Sequence, residues 1–276
     1  MQLSRVQPNH DLAPFVEWFW TMESNDPESI ETKIVPDGLP ELIFHFGHPY
    51  RILLKDRWTR QGRALLGGQM SRYFLLQNTG ESSMFGITFS PAALTHLFGL
   101  RMKEYRDRVT NLSRVPGPLR GLFTAVSGCN TPDDRISVSQ NFLSRYITSE
   151  SITHPIESIL KSMRADHGTR SIADVCKDFS ISERQLERLF DQYIGLPPKY
   201  YARVLRFSHI FKLLQEGRAS WSDVVFLSGY YDQSHFIRDF KKFTGEDPTS
   251  FQYGKDSLTH FFADKSHQLE NVGFVQ

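Results

Sequence analysis

SIADVCKDFSISERQLERLFDQYIGLPP, residues 171–198, and SWSDVVFLSGYYDQSHFIRDFKKFTGEDP, residues 220–248, are two versions of one pattern. Ser171, Asp174 and Val175 correspond to Ser220, Asp223 and Val224 at a separation of 49, and Ser182, Leu186, Arg188, Phe190, Gly195 and Pro198 to Asp232, Phe236, Arg238, Phe240, Gly245 and Pro248 at a separation of 50. The one-residue difference falls in a turn, where insertions cost least. Each copy opens with a serine three residues before an aspartate, an arrangement that satisfies the free amides of a helix start. A short apolar helix and a turn follow. The second helix of each copy opens at Ser182, with Gln185 completing a capping box, and at Asp232. It buries Leu186, Leu189 and Phe190 in one copy and Phe236, Phe240 and Phe243 in the other, and it ends at Gly195 or Gly245. Two helices across a tight turn, the second polar at its N-terminal end, make the helix-turn-helix plan.

The exposed positions of the second helices carry the chemistry. Arg184, Glu187 and Arg188 in the first copy, and Gln233, Ser234, His235 and Arg238 in the second, are the expected base-contacting residues. Arginine pairs with guanine by two prongs, glutamine suits adenine, and a carboxylate accepts from the cytosine amino group. Ser182, Lys241 and Lys242 are assigned to phosphates. Helices routinely show Arg, Gln and Glu to water, so one copy alone would decide nothing; the repeat does. Between the copies, residues 199–216 read as one amphipathic helix with Tyr201, Leu205, Ile210, Leu213 and Leu214 apolar, a rod of about 27 Å. That length suits two successive major-groove segments on one face of a duplex.

The segment SGYYDQSHFIRDFKKFTGEDP, with SISERQLERLF and LRFSHIFKLL, strongly resembles the AraC/XylS family of transcription regulators. The resemblance implies two helix-turn-helix units joined by a long helix, promoter recognition, and an N-terminal domain that senses a small molecule or mediates dimerisation. It places the family's base-reading positions on the seven residues just named. Cys176 and Val225 stand where the family often has alanine, and Ser180 where the first turn often has glycine. A serine held at positive φ there costs on the order of 1 kcal/mol. More weakly, IVPDGLPELIFHFG, GGQ and FGITFSPAALTHLFGL resemble an uncharacterised β-rich domain of one branch of that family.

The totals fit this reading without proving it. At 276 residues, 39% hydrophobic and 23% charged, the chain suits two ordinary domains. The net charge is +1, and residues 154–253 hold 14 Lys and Arg against 13 Asp and Glu, so DNA binding requires the positive side chains to share a face. The first ten residues lack a signal-peptide core and no window has the apolar length of a membrane span, which places the protein in the cytoplasm without membrane contact. Cys129 and Cys176 sit in no CxxC or Cys/His cluster, so reduced structural thiols are expected.

Upstream, KIVP, ELIFHF, RILL, RALLGG, YFLL and MFGITF between Lys33 and Phe89 are short strand-like runs separated by turns, predicting an antiparallel barrel or sandwich. Helices are expected at residues 92–100, from Leu119 to Val126 and from Asp133 to Ile147. The fold class is therefore α+β multidomain, a β-rich domain with a helical appendage followed by an all-α domain. The expected divisions are residues 1–105 for the sensor or interaction domain, 106–150 for a helical connector, 151–253 for DNA binding and 254–276 for a tail. The helix from Asp133, with Ile136, Leu143, Tyr146 and Ile147 along one side, is assigned to a homodimer contact or to packing on its own chain.

Two features tempt toward other chemistry. His45 and His48, with Glu41 nearby, invite a metal, but a spacing of three puts the histidines on opposite strand faces, so neither metal nor cofactor is expected. Trp18, Trp20, Phe44, Phe46, Phe85 and Phe89 are read first as core and second as the lining of a pocket for a small-molecule effector. RNA polymerase is the further expected partner. An enzyme carrying an appended DNA module, such as an alkyl-transfer repair protein, is the competing class. It needs a reactive cysteine cluster, a nucleophile motif or a nucleotide fingerprint, and none stands in the sequence.

Overall fold

The computed structural model describes residues 2–25, 29–54, 56–149, 153–215, 223, 230 and 232–251. Among these described residues ten strands form two antiparallel sheets. β1 (Gln2–Val6), β2 (Val16–Ser24), β9 (Ser82–Phe89), β4 (Glu41–His45), β7 (Ala64–Gly67) and β10 (Val109–Asn111) lie in that order in the larger. β3 (Glu31–Ile34), β8 (Phe74–Gln77), β5 (Arg51–Leu54) and β6 (Arg57–Arg60) lie in that order in the smaller. The sheets are not closed, so of barrel and sandwich the sandwich is correct. All six strand-like runs of the sequence are strands. β2, which the sequence reading passed over, is buried along most of its length and lacks a clean alternation of apolar and polar residues.

Register decides which side chains share a face. Trp20 and Ile43 both pair with Gly86, so even residues of β2 and β9 join odd residues of β4. On that face Trp18, Trp20, Met22 and Met84 pack with Ile34, Leu39 and Tyr50 between the sheets. On the other, Phe19, Phe44, Phe85 and Phe89 pack beneath the helices α1 (Ala93–Phe98), α2 (Leu119–Ser127) and α3 (Pro132–Ser144). The six aromatics proposed for one pocket therefore divide between two cores. Alternation holds within each strand, but the register across strands opposes the even residues of β4 to those of β2.

Two further expectations change. β10 pairs with β7 and α2 and α3 belong to the core of the β-rich domain, so that domain continues past residue 105 through the supposed connector. The apolar side of α3 is also occupied: Ile136 and Leu143 are buried in their own chain, and Tyr146 and Ile147 pack against the same core.

The helical part holds α4 (Pro155–Ala165), α5 (Ile172–Asp178), α6 (Glu183–Tyr193), α7 (Pro198–Gln215) and α8 (Gln233–Thr244). The first helix of the second unit, including Val225, and the tail at 254–276 lie outside the described residues. α7 is the expected rod, yet its sequence buries Tyr201, Val204, Phe207, Ile210 and Phe211 on more than one side, which makes it the centre of the helical core. Among the described residues no helix is long and apolar enough to cross a membrane.

The two parts are joined by a specific ion pair. β2 slips register between Val16 and Trp18, and Glu17 occupies the irregularity. A bulge of this kind re-aims a side chain, and here Glu17 receives Arg164 of α4 by two prongs, Nη1 to Oε1 at 2.6 Å and Nη2 to Oε2 at 3.0 Å. Burial alone would lower the Arg164 pKa; the Glu17 carboxylate more than reverses this. Arg164→Met removes this two-pronged contact from the Glu17 carboxylate, whose side chain is 7% exposed. Because Arg164 keeps some solvent contact, a loss of about 2–3 kcal/mol is expected in urea unfolding, with part recovered when Glu17→Gln is added.

Candidate nucleic-acid interface

The first helix-turn-helix unit forms as its sequence dictates. The Ser171 hydroxyl accepts from the Asp174 amide at 3.1 Å and opens α5. Ser182 opens α6 with a full capping box: its hydroxyl accepts from the Gln185 amide at 3.2 Å, and Gln185 Oε1 accepts from the Ser182 amide at 2.8 Å. Between the helices Ser180 has φ +52°, the left-handed conformation expected of it. In the second unit, the Asp232 carboxylate accepts from the His235 amide at 2.7 Å and opens α8.

These caps fix which side chains turn outward. Leu186 and Phe190 are buried in α6, as are Phe236, Phe240 and Phe243 in α8. That leaves Arg184, Glu187 and Arg188 exposed on α6, with no ion-pair or hydrogen-bond partner among the described residues. Gln233, Ser234 and Arg238 are exposed on α8. His235 is half-buried, its ring edge-on to Tyr230 at 5.2 Å, so it is the least available of the seven.

The three residues assigned to phosphates are exposed but already engaged. Ser182 serves the cap, Lys241 pairs with Asp247 at 2.8 Å, and Lys242 stands 4.8 Å from the centre of the Tyr200 ring. Each cation would exchange one interaction for another on meeting DNA.

The structure adds residues that the sequence reading missed. Arg101, from the loop after α1, shares an open groove of about 770 Å³ with Ser182, Arg184, Glu187 and Arg188, so the β-rich domain contributes a cation beside the exposed face of α6. Asp239, 1% exposed, anchors α8 to α7: it accepts from Arg203 through both carboxylate oxygens, Nε to Oδ2 at 2.9 Å, and from the Tyr230 hydroxyl at 3.2 Å. A buried Asp in an otherwise apolar stripe was the available signal. In the first copy Leu189 holds the corresponding position, so the pattern did not repeat there.

The C-terminal ends of α6 and α8 meet the β-rich domain at equivalent places. Gly195 and Gly245 both have left-handed φ, +88° and +78°. A Cβ on Gly195 would stand 2.6 Å from the Met102 carbonyl oxygen, and one on Gly245 2.5 Å from the Tyr73 ring. Around these contacts Lys103 pairs with Asp191 and Lys33 with Glu246. The Thr95 hydroxyl lies 3.1 Å from the Gln192 carbonyl oxygen, and that of Tyr200 donates to the carbonyl of Ser71.

Of the six aromatics proposed for an effector pocket, Trp20 alone lines the void of about 70 Å³ between the two sheets. Phe46 is half-buried, with the Arg135 guanidinium 3.6 Å from its ring centre. Among the described residues no three His, Cys, Asp or Glu side chains gather as a metal set. Both cysteines are unbridged.

Ser180→Gly removes the strain in the first turn and is expected to raise stability by about 0.5–1 kcal/mol in chemical unfolding. A loss instead would mean that the serine side chain supports the turn.

Residues 4–111 match the model of a domain of unknown function, DUF6597, and residues 175–253 that of a helix-turn-helix domain. The chain is 33% identical over 84 residues to the HTH-type transcriptional activator RhaS of Escherichia coli strain SE11, a stretch covering 30% of each protein. The K12/DH10B strain's RhaS matches equally. The chain thus spans under a third of the length of these relatives. Among solved structures, ToxT from Vibrio cholerae aligns over 84% of this chain and 96% of its own at 15% identity and a TM-score of 0.48. A ToxT structure with bound unsaturated fatty acid aligns over 83% and 91% at 15% identity and 0.45. Residues 175–253 of this chain thus match a helix-turn-helix domain, set behind a stretch at residues 4–111 that matches DUF6597.

Proposed function

We propose that this protein is a sequence-specific transcription regulator that reads double-stranded promoter DNA with α6 and α8 in successive major grooves. The observation that carries this reading is the pair of capped helices whose polar faces, Arg184, Glu187 and Arg188 on one and Gln233, Ser234 and Arg238 on the other, are turned to solvent. His235 joins them once its ring leaves Tyr230. Ser182, Lys241, Lys242 and Arg101 serve the phosphates. The near-neutral total charge is no obstacle, because counterion release follows the cations that reach phosphates rather than the sum over the chain. The β-rich domain controls the reading heads in response to a small molecule, and the protein acts in the cytoplasm on RNA polymerase, as a homodimer where the promoter offers two sites. With the apolar side of α3 occupied, another surface serves that pairing.

Arg188→Ala and Arg238→Ala are each expected to weaken cognate binding by about 1–3 kcal/mol and to relax preference at one base position. Gel-shift titrations on cognate and scrambled duplexes measure this; equal losses on both would assign these side chains to the backbone. Lys241→Ala and Arg101→Ala are expected to weaken all sequences alike, each lowering the slope of log affinity against log salt by about one. An unchanged slope removes that residue from the phosphate set.

A further inference from the structure

The void between the sheets has a one-sided chemistry. Asp37 and Glu41 line it, and among the described residues no Lys or Arg does. Glu41 projects from β4, and one of its oxygens accepts from the Thr88 hydroxyl at 2.6 Å. No cation pairs with Glu41 among the described residues. His45, four residues along on the same strand face, is 2% exposed and lines the same void, with neither ring nitrogen in a hydrogen bond of regular geometry among the described residues. A buried polar group left in this condition costs about 1–3 kcal/mol unless something fills the site. The rest of the wall is mainly apolar and includes the rings of Trp20, Tyr50 and Phe74.

We propose that this cavity binds the ammonium head of a small apolar amine, with Glu41 as its counter-charge, His45 as a hydrogen-bond acceptor and the Trp20, Tyr50 and Phe74 rings as the wall around the cation. Aromatic faces attract a cation, and a desolvated carboxylate is its natural partner. An anionic head would face Asp37 and Glu41, whereas Arg5 and Arg63, the cations that act on Glu41 and His45, are not in the lining. A cavity of 150 Å³ accepts benzene, so about 70 Å³ accommodates roughly three non-hydrogen atoms, enough for the head and the first carbons of a chain.

The protonation states agree. Burial, helped by Asp37 and opposed by Thr88 and by Arg5 on β1, pushes Glu41 up to about 8. Burial, helped by the Arg63 charge and opposed by Gln61, pushes His45 down to about 4, so its ring is a neutral acceptor near pH 7. An incoming ammonium therefore expels one proton from Glu41, and binding strengthens as the pH rises toward 8.

The consequence of occupancy depends on the regulator reading above; occupancy itself does not, because it is measured without DNA. Calorimetric titration of the full-length protein with n-propylamine, 1-propanol and propionate separates charge from shape. Saturable binding is expected for the amine alone. Glu41→Gln, which keeps the size of the side chain, should weaken it at least tenfold. In the unaltered protein, affinity should rise by about tenfold per pH unit between roughly pH 6 and 7, an arm that requires no variant to fold. Equal binding of 1-propanol, unchanged affinity in Glu41→Gln, a flat pH profile or no saturable amine binding at pH 8 would each overturn the assignment.

Discussion

The docking of one β-rich body onto the C-terminal ends of both α6 and α8 is the constraint on which the rest of the structure depends. Each helix ends at a left-handed glycine, and at each the β-rich domain approaches more closely than any side chain would allow, Met102 against Gly195 and Tyr73 against Gly245. Glycine at these positions first serves to end a helix. Here it serves a second end, since the absent Cβ is what lets another domain reach the helix terminus. Because the contacts fall at the far ends, the N-terminal turns carrying Arg184 and Gln233 remain open.

This docking uses charges that would otherwise weaken an interface with DNA. Asp191 and Glu246, acidic groups close to the two helix ends, are paired with Lys103 and Lys33 of the β-rich domain. Asp239 is buried under Arg203, and Asp247 holds Lys241. Of the anions on or beside α6 and α8, several are thus neutralised internally, while Arg184 and Arg188 have no ion-pair partner among the described residues. A chain of nearly balanced charge can in this way present a local positive surface. A count over the sequence cannot show such a distribution, because it depends on which partners the fold supplies.

The helical half was largely legible because its determinants are local. Caps at Ser171, Ser182 and Asp232, stops at Gly195 and Gly245 and the strain at Ser180 each follow from a few adjacent residues, and the repeat supplied an internal check. The β-rich half was legible as strands and not as faces. Whether Phe44 and Trp20 share a core is set by the register between β2, β9 and β4, a long-range property that alternation within one strand leaves open. Glu17 and Arg164, 147 positions apart, could not be paired from sequence for the same reason. The cavity residues Glu41 and His45 were noticed, but as a metal set with His48, since spacing along a strand says nothing about the sheet that closes over it.

One loop belongs to both halves. Between β3 and β4, Val35, Asp37 and Leu39 line the void between the sheets. Val35 is also a member of the helical core, and a Cβ on Gly38 would lie 3.2 Å from the Tyr201 ring on α7. The Gln69 side chain, donating to the Gly38 carbonyl at 2.8 Å, holds the loop between them. A ligand shifts an equilibrium only by its difference in affinity for the two states. A molecule that pressed on Val35–Leu39 would act on a segment whose other side is packed against α7, so its binding energy would differ wherever that packing differs. Interiors this dense do not absorb displacement gradually, and α7, buried on more than one side, has little room to yield without moving α8, which Asp239 ties to it. The route from cavity to α8 is therefore short and made of groups already close together, Gly38 against Tyr201 of α7 and Arg203 on Asp239.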